Sequence, residues 1–461
     1  MVVRLANNYR IRANGKNPNK ISYAEVLESK NILPARAKLL AWGIFLIFFI
    51  ENGTLGLIPR NYYFVYRNMR ISDFLIYGLT IYSLFNTREF AELYRSRPLI
   101  LIKAILIFFF AQFIISSILY QQNFFEYFFR LKGVWSSLLI FPYLLLLKRK
   151  ALSYLIKIML PVTIVANILY ILSSVTGVAL MPDIGVEKAN LPGGFQVYRV
   201  FGGTFFGEFF FLAFVFQWIT DKFRLYQLPL ALLFITPHIL AFGRSAWVNF
   251  SFSILLMFIW NFMKNREFKL VLRQAIILVS LILVTVYVFM RFIPQSDYLT
   301  DAISARIVQG QEDVEYKTGT FGTRLANIDA LLGLWQSSNI FFGVGMHPMW
   351  VIRAETVEEN IYAWGFSDVR WASVLAAYGL VGFILALIFQ ITYGFYAGKV
   401  LITTRSKSIL TFFTLMLFSN FLFDTFINYS YNLISMGLWG FPSMLCFYIS
   451  VTVYKMVYTD A

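Results

Sequence analysis

The feature that most constrains this chain is a succession of apolar runs, each of a length suited to crossing a bilayer, separated by short polar connections. Hydrophobic residues make up 59% of the sequence and the mean hydropathy is +0.65, both well above the values of soluble domains. We expect an all-α polytopic membrane protein with about twelve transmembrane helices. The predicted spans centre on residues 39–50, 71–85, 98–120, 133–147, 153–175, 201–218, 225–242, 246–263, 270–292, 371–397, 410–426 and 431–453.

One long polar stretch, residues 294–370, interrupts these runs and carries more acidic than basic residues. A long loop that keeps helical periodicity and glycine turns usually has a function. The chain therefore divides into a basic arm at 1–38, spans one to nine at 39–293, a loop with short helices at 294–370 and spans ten to twelve at 371–461. The loop is where we expect the chemistry.

The charge pattern predicts the orientation. The formal net charge is +16, and the basic residues are grouped at the ends of the apolar runs, which is how membrane topology is encoded. This pattern argues against nucleic-acid binding and predicts cytoplasmic termini with an extracytoplasmic loop. Cys446 is the single cysteine, which excludes an internal disulfide. The first 38 residues show no cleavable signal peptide, so the first span is expected to insert the protein.

Gly322-Thr323-Arg324 precedes apolar residues at helical spacing. Thr323 is a suitable helix cap, which would place Arg324 in the first turn. A cation is disfavoured in the first turn of a helix unless an anion lies between it and the helix N-terminus. A helix N-terminus with a guanidinium beside it is a suitable binding site for pyrophosphate. The alternative is that Arg324 is a solvated surface residue.

Arg199 and Arg244 also fall on the predicted outer face. Each is a candidate pyrophosphate ligand, because arginine stays charged and binds bidentately. Each could instead simply extend its side chain to the interface. Glu208 lies about two turns inside the predicted sixth span, where an acid is costly. It is therefore either functional or paired with Arg199 or Arg244.

His347 lies in the loop and can titrate near neutral pH. The glycines around it, in Gly343-Val344-Gly345, indicate a turn. The two histidines and one cysteine supply no zinc ligand set, and the acids show no calcium-loop spacing, so we expect no metal and no cofactor.

Several motifs together resemble the O-antigen ligase and O-antigen polymerase (Wzy) superfamily. The similarity covers roughly residues 195–395. The motifs are Arg199-Val200-Phe201-Gly202-Gly203-Thr204, Gly243-Arg244-Ser245, Gly322-Thr323-Arg324 through Leu334-Trp335, Phe342-Gly343-Val344-Gly345, and Tyr378-Gly379-Leu380-Val381-Gly382.

The resemblance implies a GT-C-type membrane glycosyltransferase of the bacterial cytoplasmic membrane, with its active site on the outer side. Its donor and acceptor would be oligosaccharides linked to undecaprenyl pyrophosphate. A flippase and a chain-length regulator are candidate protein partners. The family's arginines imply that Arg244 and Arg324 hold the pyrophosphate.

The ligases have a catalytic histidine near the end of the loop, where this chain has Asp368. This difference favours a polymerase of O-antigen, capsule or exopolysaccharide repeats. Asp368 is then the first candidate for the catalytic base, ahead of His347 and Glu208, although it could instead cap the tenth helix. Trp371, with Arg370 beside it, is a candidate sugar-binding residue.

Two other functions remain open. One is a ligase that moves the glycan to a different acceptor. The other is a flippase or transporter of lipid-linked sugars, which should show polar residues through several spans and often an internal repeat.

Overall fold

The computed structural model describes residues 33–51, 64–66, 69–121, 124, 136–180, 185–191, 195–201, 206–220, 227–240, 244–265, 272–277, 279–280, 287, 308, 312, 315–316, 319–345, 370–404, 408–426 and 442–459. Its principal helices are α1 (Ala35–Glu51), α2 (Ile71–Phe85), α3 (Arg97–Leu119), α4 (Ile140–Lys148), α5 (Leu152–Thr176), α6 (Gly207–Ile219), α7 (Leu228–Leu240), α8 (Arg244–Asn265), α9 (Gly319–Ser337), α10 (Arg370–Thr403), α11 (Ile409–Phe426) and α12 (Pro442–Thr459).

Every predicted span except the ninth overlaps one of these helices, although the twelfth, predicted at 431–453, overlaps α12 only from Pro442. The ninth lies largely outside the described residues. Helix α9 belongs to the predicted loop. By length and composition, three helices in the described part of the chain can cross a membrane: Arg97–Leu119, Leu152–Ser174 and Trp371–Thr403. Several shorter apolar helices accompany them. The chain is therefore a multi-pass membrane protein, while the number of twelve spans stays a prediction.

Two antiparallel hairpins add strands that an all-α fold lacks. One pairs β1 (Phe64–Tyr66) with β2 (Met69–Arg70), and the other pairs β3 (Gly185–Leu191) with β4 (Phe195–Phe201). The predicted start of the sixth span at Phe201 is therefore wrong. That residue ends β4, because Phe195–Phe201 pairs residue by residue with Gly185–Leu191 of β3.

The helices share one large apolar core in which aromatic rings make many of the contacts. The ring of Phe413 stacks on Phe209 with 5.3 Å between centroids and meets Phe447 edge-on at 4.7 Å. These rings join α11 to α6 and α12. Aromatic pairs of this kind contribute about 0.5–1.5 kcal/mol beyond burial, so they help to decide which helices are neighbours.

Polar side chains hold the end of the bundle at which α10 finishes. Arg149 forms a two-pronged ion pair with Glu89, at 2.9 and 2.7 Å, and also donates to the Tyr82 hydroxyl at 2.8 Å. Fully buried Lys455 donates to the Thr411 hydroxyl at 2.9 Å. We call these five residues, Tyr82, Glu89, Arg149, Thr411 and Lys455, the polar end.

Candidate functional site

Helix α9, which carries Arg324, lies against the first turns of α10. Leu331 is buried there against Ala372 and Ala376, both of which have no exposed surface. The two alanines are small, so α9 approaches α10 closely. Five partly buried side chains surround this contact: Ile328, Leu334, Trp335, Val344 and Trp371. The predicted apolar face of this loop helix is confirmed.

The chain leaves α9 through a tight turn, residues 339–345, which we call the docking turn. The side-chain Oδ1 of Asn339 accepts hydrogen bonds from the amides of Phe341 and Phe342, at 3.0 and 3.1 Å. The indole of Trp335, in the last turns of α9, donates to the Ile340 carbonyl at 2.9 Å. These bonds make the docking turn a rigid continuation of the helix.

Helix α10 is broken at Gly379, whose φ of 63° and ψ of −165° lie in a region that essentially only glycine occupies. In an uninterrupted helix the amide of Leu380 would bond to the carbonyl of Ala376, and that of Val381 to Ala377. The break separates these four groups. Unpaired backbone groups are costly away from water, so each needs another partner.

The docking turn supplies all four partners from its own backbone. The bonds are Val344 N to Ala376 O at 2.8 Å, Gly345 N to Ala377 O at 3.2 Å, Leu380 N to Ile340 O at 2.9 Å, and Val381 N to Phe341 O at 3.2 Å. The docking turn thus gives hydrogen-bond donors to the two free carbonyls of α10 and hydrogen-bond acceptors to its two free amides. We call this arrangement the junction.

Two glycines permit the close approach of backbones at the junction. A Cβ atom at Gly343 would lie 2.3 Å from the Ala376 carbonyl oxygen, and one at Gly379 would lie 2.3 Å from the carbonyl carbon of Phe341. Both glycines also have a positive φ. The motifs Phe342-Gly343-Val344-Gly345 and Tyr378-Gly379 are therefore the two halves of one structural contact.

Helix α3 holds the docking turn from a third side. Gln112, fully buried, donates its Nε2 to the Phe342 carbonyl at 2.8 Å. The hydroxyl of Tyr120 donates to the Gly343 carbonyl.

Helix α9, the docking turn and the junction all lie in a stretch of the chain that matches a known family, whereas α3 lies outside that stretch. Residues 229–387 match a family model described as O-antigen ligase (Wzy_C). The similarity that the motifs predict is thereby confirmed over this stretch. A comparison with curated proteins gives no match. At a coarse level, the O-antigen ligase match supports an enzyme of glycosyl transfer.

Within the O-antigen ligase match, Arg244 is the first residue of α8 and Arg324 lies in α9. The prediction that Thr323 caps this helix is wrong. The helix begins at Gly319, so Arg324 lies beyond the first turn and the argument from the helix dipole no longer applies. Arg199 lies outside the matched stretch, in β4, where its backbone pairs with Glu187.

Glu208 also lies outside the O-antigen ligase match, and its predicted depth is wrong. It is the second residue of α6, because that helix begins at Gly207 rather than near Phe201. Glu208 is exposed although Gly207, Phe209 and Phe210 beside it are buried, and it interacts electrostatically with Tyr448 on α12.

The remaining candidates lie near the start of α10. Asp368 and His347 lie outside the described residues, and Arg370 begins α10. Trp371 is half-buried against the α9 contact, so part of its ring has a packing role. In the portion of the chain that the structure describes, no three His, Cys, Asp or Glu side chains form a metal-binding group.

Sequence reasoning did not identify Gln112. The available signal was a polar amide inside a long apolar run, where such a side chain is costly and usually has a partner. Its partner, the Phe342 carbonyl, is distant in the chain and could not be read from spacing.

Proposed function

We propose that this protein polymerises oligosaccharide repeat units linked to undecaprenyl pyrophosphate, as a GT-C-type glycosyltransferase of the bacterial cytoplasmic membrane. The observation that carries the proposal is the O-antigen ligase match over residues 229–387, which contains both glycine motifs of the junction and Arg324 on the helix fixed by it. The alternative is a ligase that uses the same donor with a different acceptor, and the match to an O-antigen ligase model favours it.

In the proposed reaction an acceptor hydroxyl oxygen attacks the anomeric carbon of the donor sugar. The bond between that carbon and the pyrophosphate oxygen breaks, and the lipid pyrophosphate leaves with the bonding electrons. Negative charge on the leaving group grows as the bond breaks, so cations beside it stabilise the transition state most. We assign this role to Arg244 and Arg324, with Arg199 as a third candidate ligand.

The proton of the acceptor hydroxyl must pass to a base. We assign this role first to Asp368, which lies two positions before α10 begins, and then to His347. Glu208, the second residue of α6, is the third candidate. Trp371 and Arg370 would contact the sugars.

The first test replaces the two arginines. We expect Arg324→Ala and Arg244→Ala each to lower chain extension by at least about a hundredfold, because each removes a preorganised cation from the leaving group. Lysine at either position should restore little activity, since it lacks the bidentate fork. Chain extension is measured with purified lipid-linked repeats.

Arg95→Ala is the matched control, because Arg95 is an exposed arginine at the end of the four-residue helix Ala91–Tyr94, outside the matched region and the junction. Wild-type extension by both lysine variants would refute the pyrophosphate role. In cells, deletion of the gene separates the two candidate functions. Loss of the polymerase leaves a single repeat attached, whereas loss of a ligase removes all attached glycan.

The second test concerns orientation. We propose that both termini are cytoplasmic and that α9 lies outside the cytoplasmic membrane. A cysteine at exposed Gln336, in a Cys446→Ser background, should react with an impermeant thiol reagent in intact spheroplasts, whereas one at Arg95 should not. The opposite labelling pattern would overturn the orientation.

A further inference from the structure

Helix α3 carries two hydrogen-bond donors that reach consecutive carbonyls of the docking turn. Gln112 donates to Phe342 at 2.8 Å, and Tyr120 donates to Gly343. Neither carbonyl takes part in the four backbone bonds between the turn and α10. These two side chains therefore add a separate anchor to the turn, from a helix far away in the sequence.

The same face of α3 also holds the other half of the junction. Phe108 and Phe109 pack on Tyr378, the residue before the break, with ring centroids 6.2 and 5.8 Å apart. Gln112 lies one helical turn further along that face. Helix α3 thus contacts both α10 and the docking turn, and it fixes the position of the turn relative to α10.

The position of α9 depends on this contact because the helix continues directly into the turn. A rise of about 1.5 Å per residue places Arg324 about 20 Å from the docking turn. Over that length a tilt of about 5° at the turn displaces Arg324 by nearly 2 Å. A displacement of about 1 Å at a reacting group can slow a reaction by as much as a hundredfold.

We propose that Gln112 and Tyr120 are positioning residues for glycosyl transfer: through the docking turn they fix the tilt of α9 and so the place of Arg324. This inference rests on the proposed function, because the proposed function makes Arg324 a pyrophosphate ligand. Neither side chain is assigned a contact with substrate.

The test removes both donors with little change of shape, in the double variant Gln112→Met, Tyr120→Phe. Gln390→Met is the matched control, because Gln390 is also buried and also donates to a backbone carbonyl, that of Phe421 at 3.3 Å. Spin labels at Ala326 on α9 and Ile384 on α10, in a Cys446→Ser background, report the tilt of α9 as a distance distribution.

We expect the distance distribution to broaden in the double variant and to keep its natural width in Gln390→Met. The kcat for chain extension should fall about tenfold, with the KM for the donor nearly unchanged, because the lost interaction strengthens in the transition state. In an Arg324→Lys background the same double variant should cause a much smaller further loss, since residues that act through one another are not additive.

The two readouts separate this inference from the proposed function. An unchanged distance distribution in the double variant overturns the positioning role, whatever the activity. A broadened distribution with wild-type kcat overturns the link to catalysis. A natural protein without glycosyl transfer would refute the proposed function alone, and the spin-label distances would still decide whether Gln112 and Tyr120 hold α9.

Discussion

The junction and the polar end hold neighbouring parts of the helix bundle together by different physical means. At the junction, backbone meets backbone, and glycine and alanine leave the space for it. At the polar end, long side chains span the gaps between helices, as Arg149 does to Glu89 and Lys455 does to Thr411. Backbone contacts tolerate no added atom, whereas a long side chain can adjust its rotamer.

This difference indicates where the fold has to be accurate. The junction sets the position of α9 and the arginine that we propose binds the pyrophosphate. The polar end has no such part in the proposed chemistry and only has to keep the helices together. Substitutions at the junction should therefore disturb both stability and activity, and those at the polar end should disturb stability alone.

The largest effect is expected for Gly379→Ala. The new methyl group would lie 2.3 to 2.4 Å from the backbone of Phe341, and alanine does not accept the φ and ψ found at Gly379. Strain and overpacking together should cost about 3 kcal/mol or more and displace the docking turn. The unfolding midpoint in detergent and the rate of chain extension should both fall.

Gly394→Ala is the control for this substitution. It lies in the same helix, and a Cβ built there meets no atom within 4 Å apart from its chain neighbours and the backbone of its own helical turns. Alanine in a helix interior is favoured over glycine by about 0.5–1 kcal/mol, so this variant should be slightly more stable and fully active. Equal losses in both variants would show that the break has no special requirement.

An intermediate effect is expected for Tyr393→Phe, away from the junction. The hydroxyl of this fully buried tyrosine donates to the Pro98 carbonyl at the start of α3. Its removal leaves that carbonyl without this donor and should cost about 1 kcal/mol. The unfolding midpoint should fall while kcat stays at the natural value. A parallel loss of kcat would contradict the expectation that substitutions away from the junction change stability alone.

The smallest effect is expected for Glu89→Gln, and it should depend on pH. The hydrogen bond from Arg149 holds the pKa of Glu89 below its ordinary value of 4.5. Because the pKa is lowered on folding, the ion pair stabilises the protein above the ordinary pKa, and this stabilisation is lost as the pH falls through the folded pKa. Glu89 is 42% exposed, so the gain at pH 7 should be below about 1 kcal/mol.

The measurement compares unfolding midpoints of the natural protein and Glu89→Gln at pH 7 and at a pH low enough to protonate Glu89 in the folded protein, where the two should converge. Glu92→Gln serves as control, because Glu92 is 69% exposed and lies 3.8 Å from Lys148. It should change neither midpoint. A difference for Glu89→Gln that persists in acid would mean that packing, and not charge, is responsible.

Hydropathy predicted the helices well, because a bilayer demands long apolar segments and these are visible in a single sequence. It failed where backbone pairing decided the structure. Phe201 was predicted to begin a span, but it pairs with Gly185 in the second hairpin. Thr323 was predicted to begin a helix that in fact starts one turn earlier, at Gly319, because propensity is weak at helix ends.

The candidate site shows the same limit. Gly343 and Gly345 were predicted to form a turn, and both have positive φ. What the turn contacts could not be predicted, because its partners near Gly379 contribute backbone atoms that any residue carries. The roles of Asp368, His347 and the arginines stay predictions, since chemistry of this kind is read from side chains placed around a substrate.

The junction also bears on the order in which the protein assembles during synthesis. Ile340 and Phe341 leave the ribosome before Ala376 and Leu380, so the groups that complete α10 are made before α10 itself. The entropic cost of closing the segment between them grows only with the logarithm of its length. Neither half of α10 has all its backbone bonds until the docking turn is in place. The turn and the two helix halves should therefore form and unfold as a single cooperative unit.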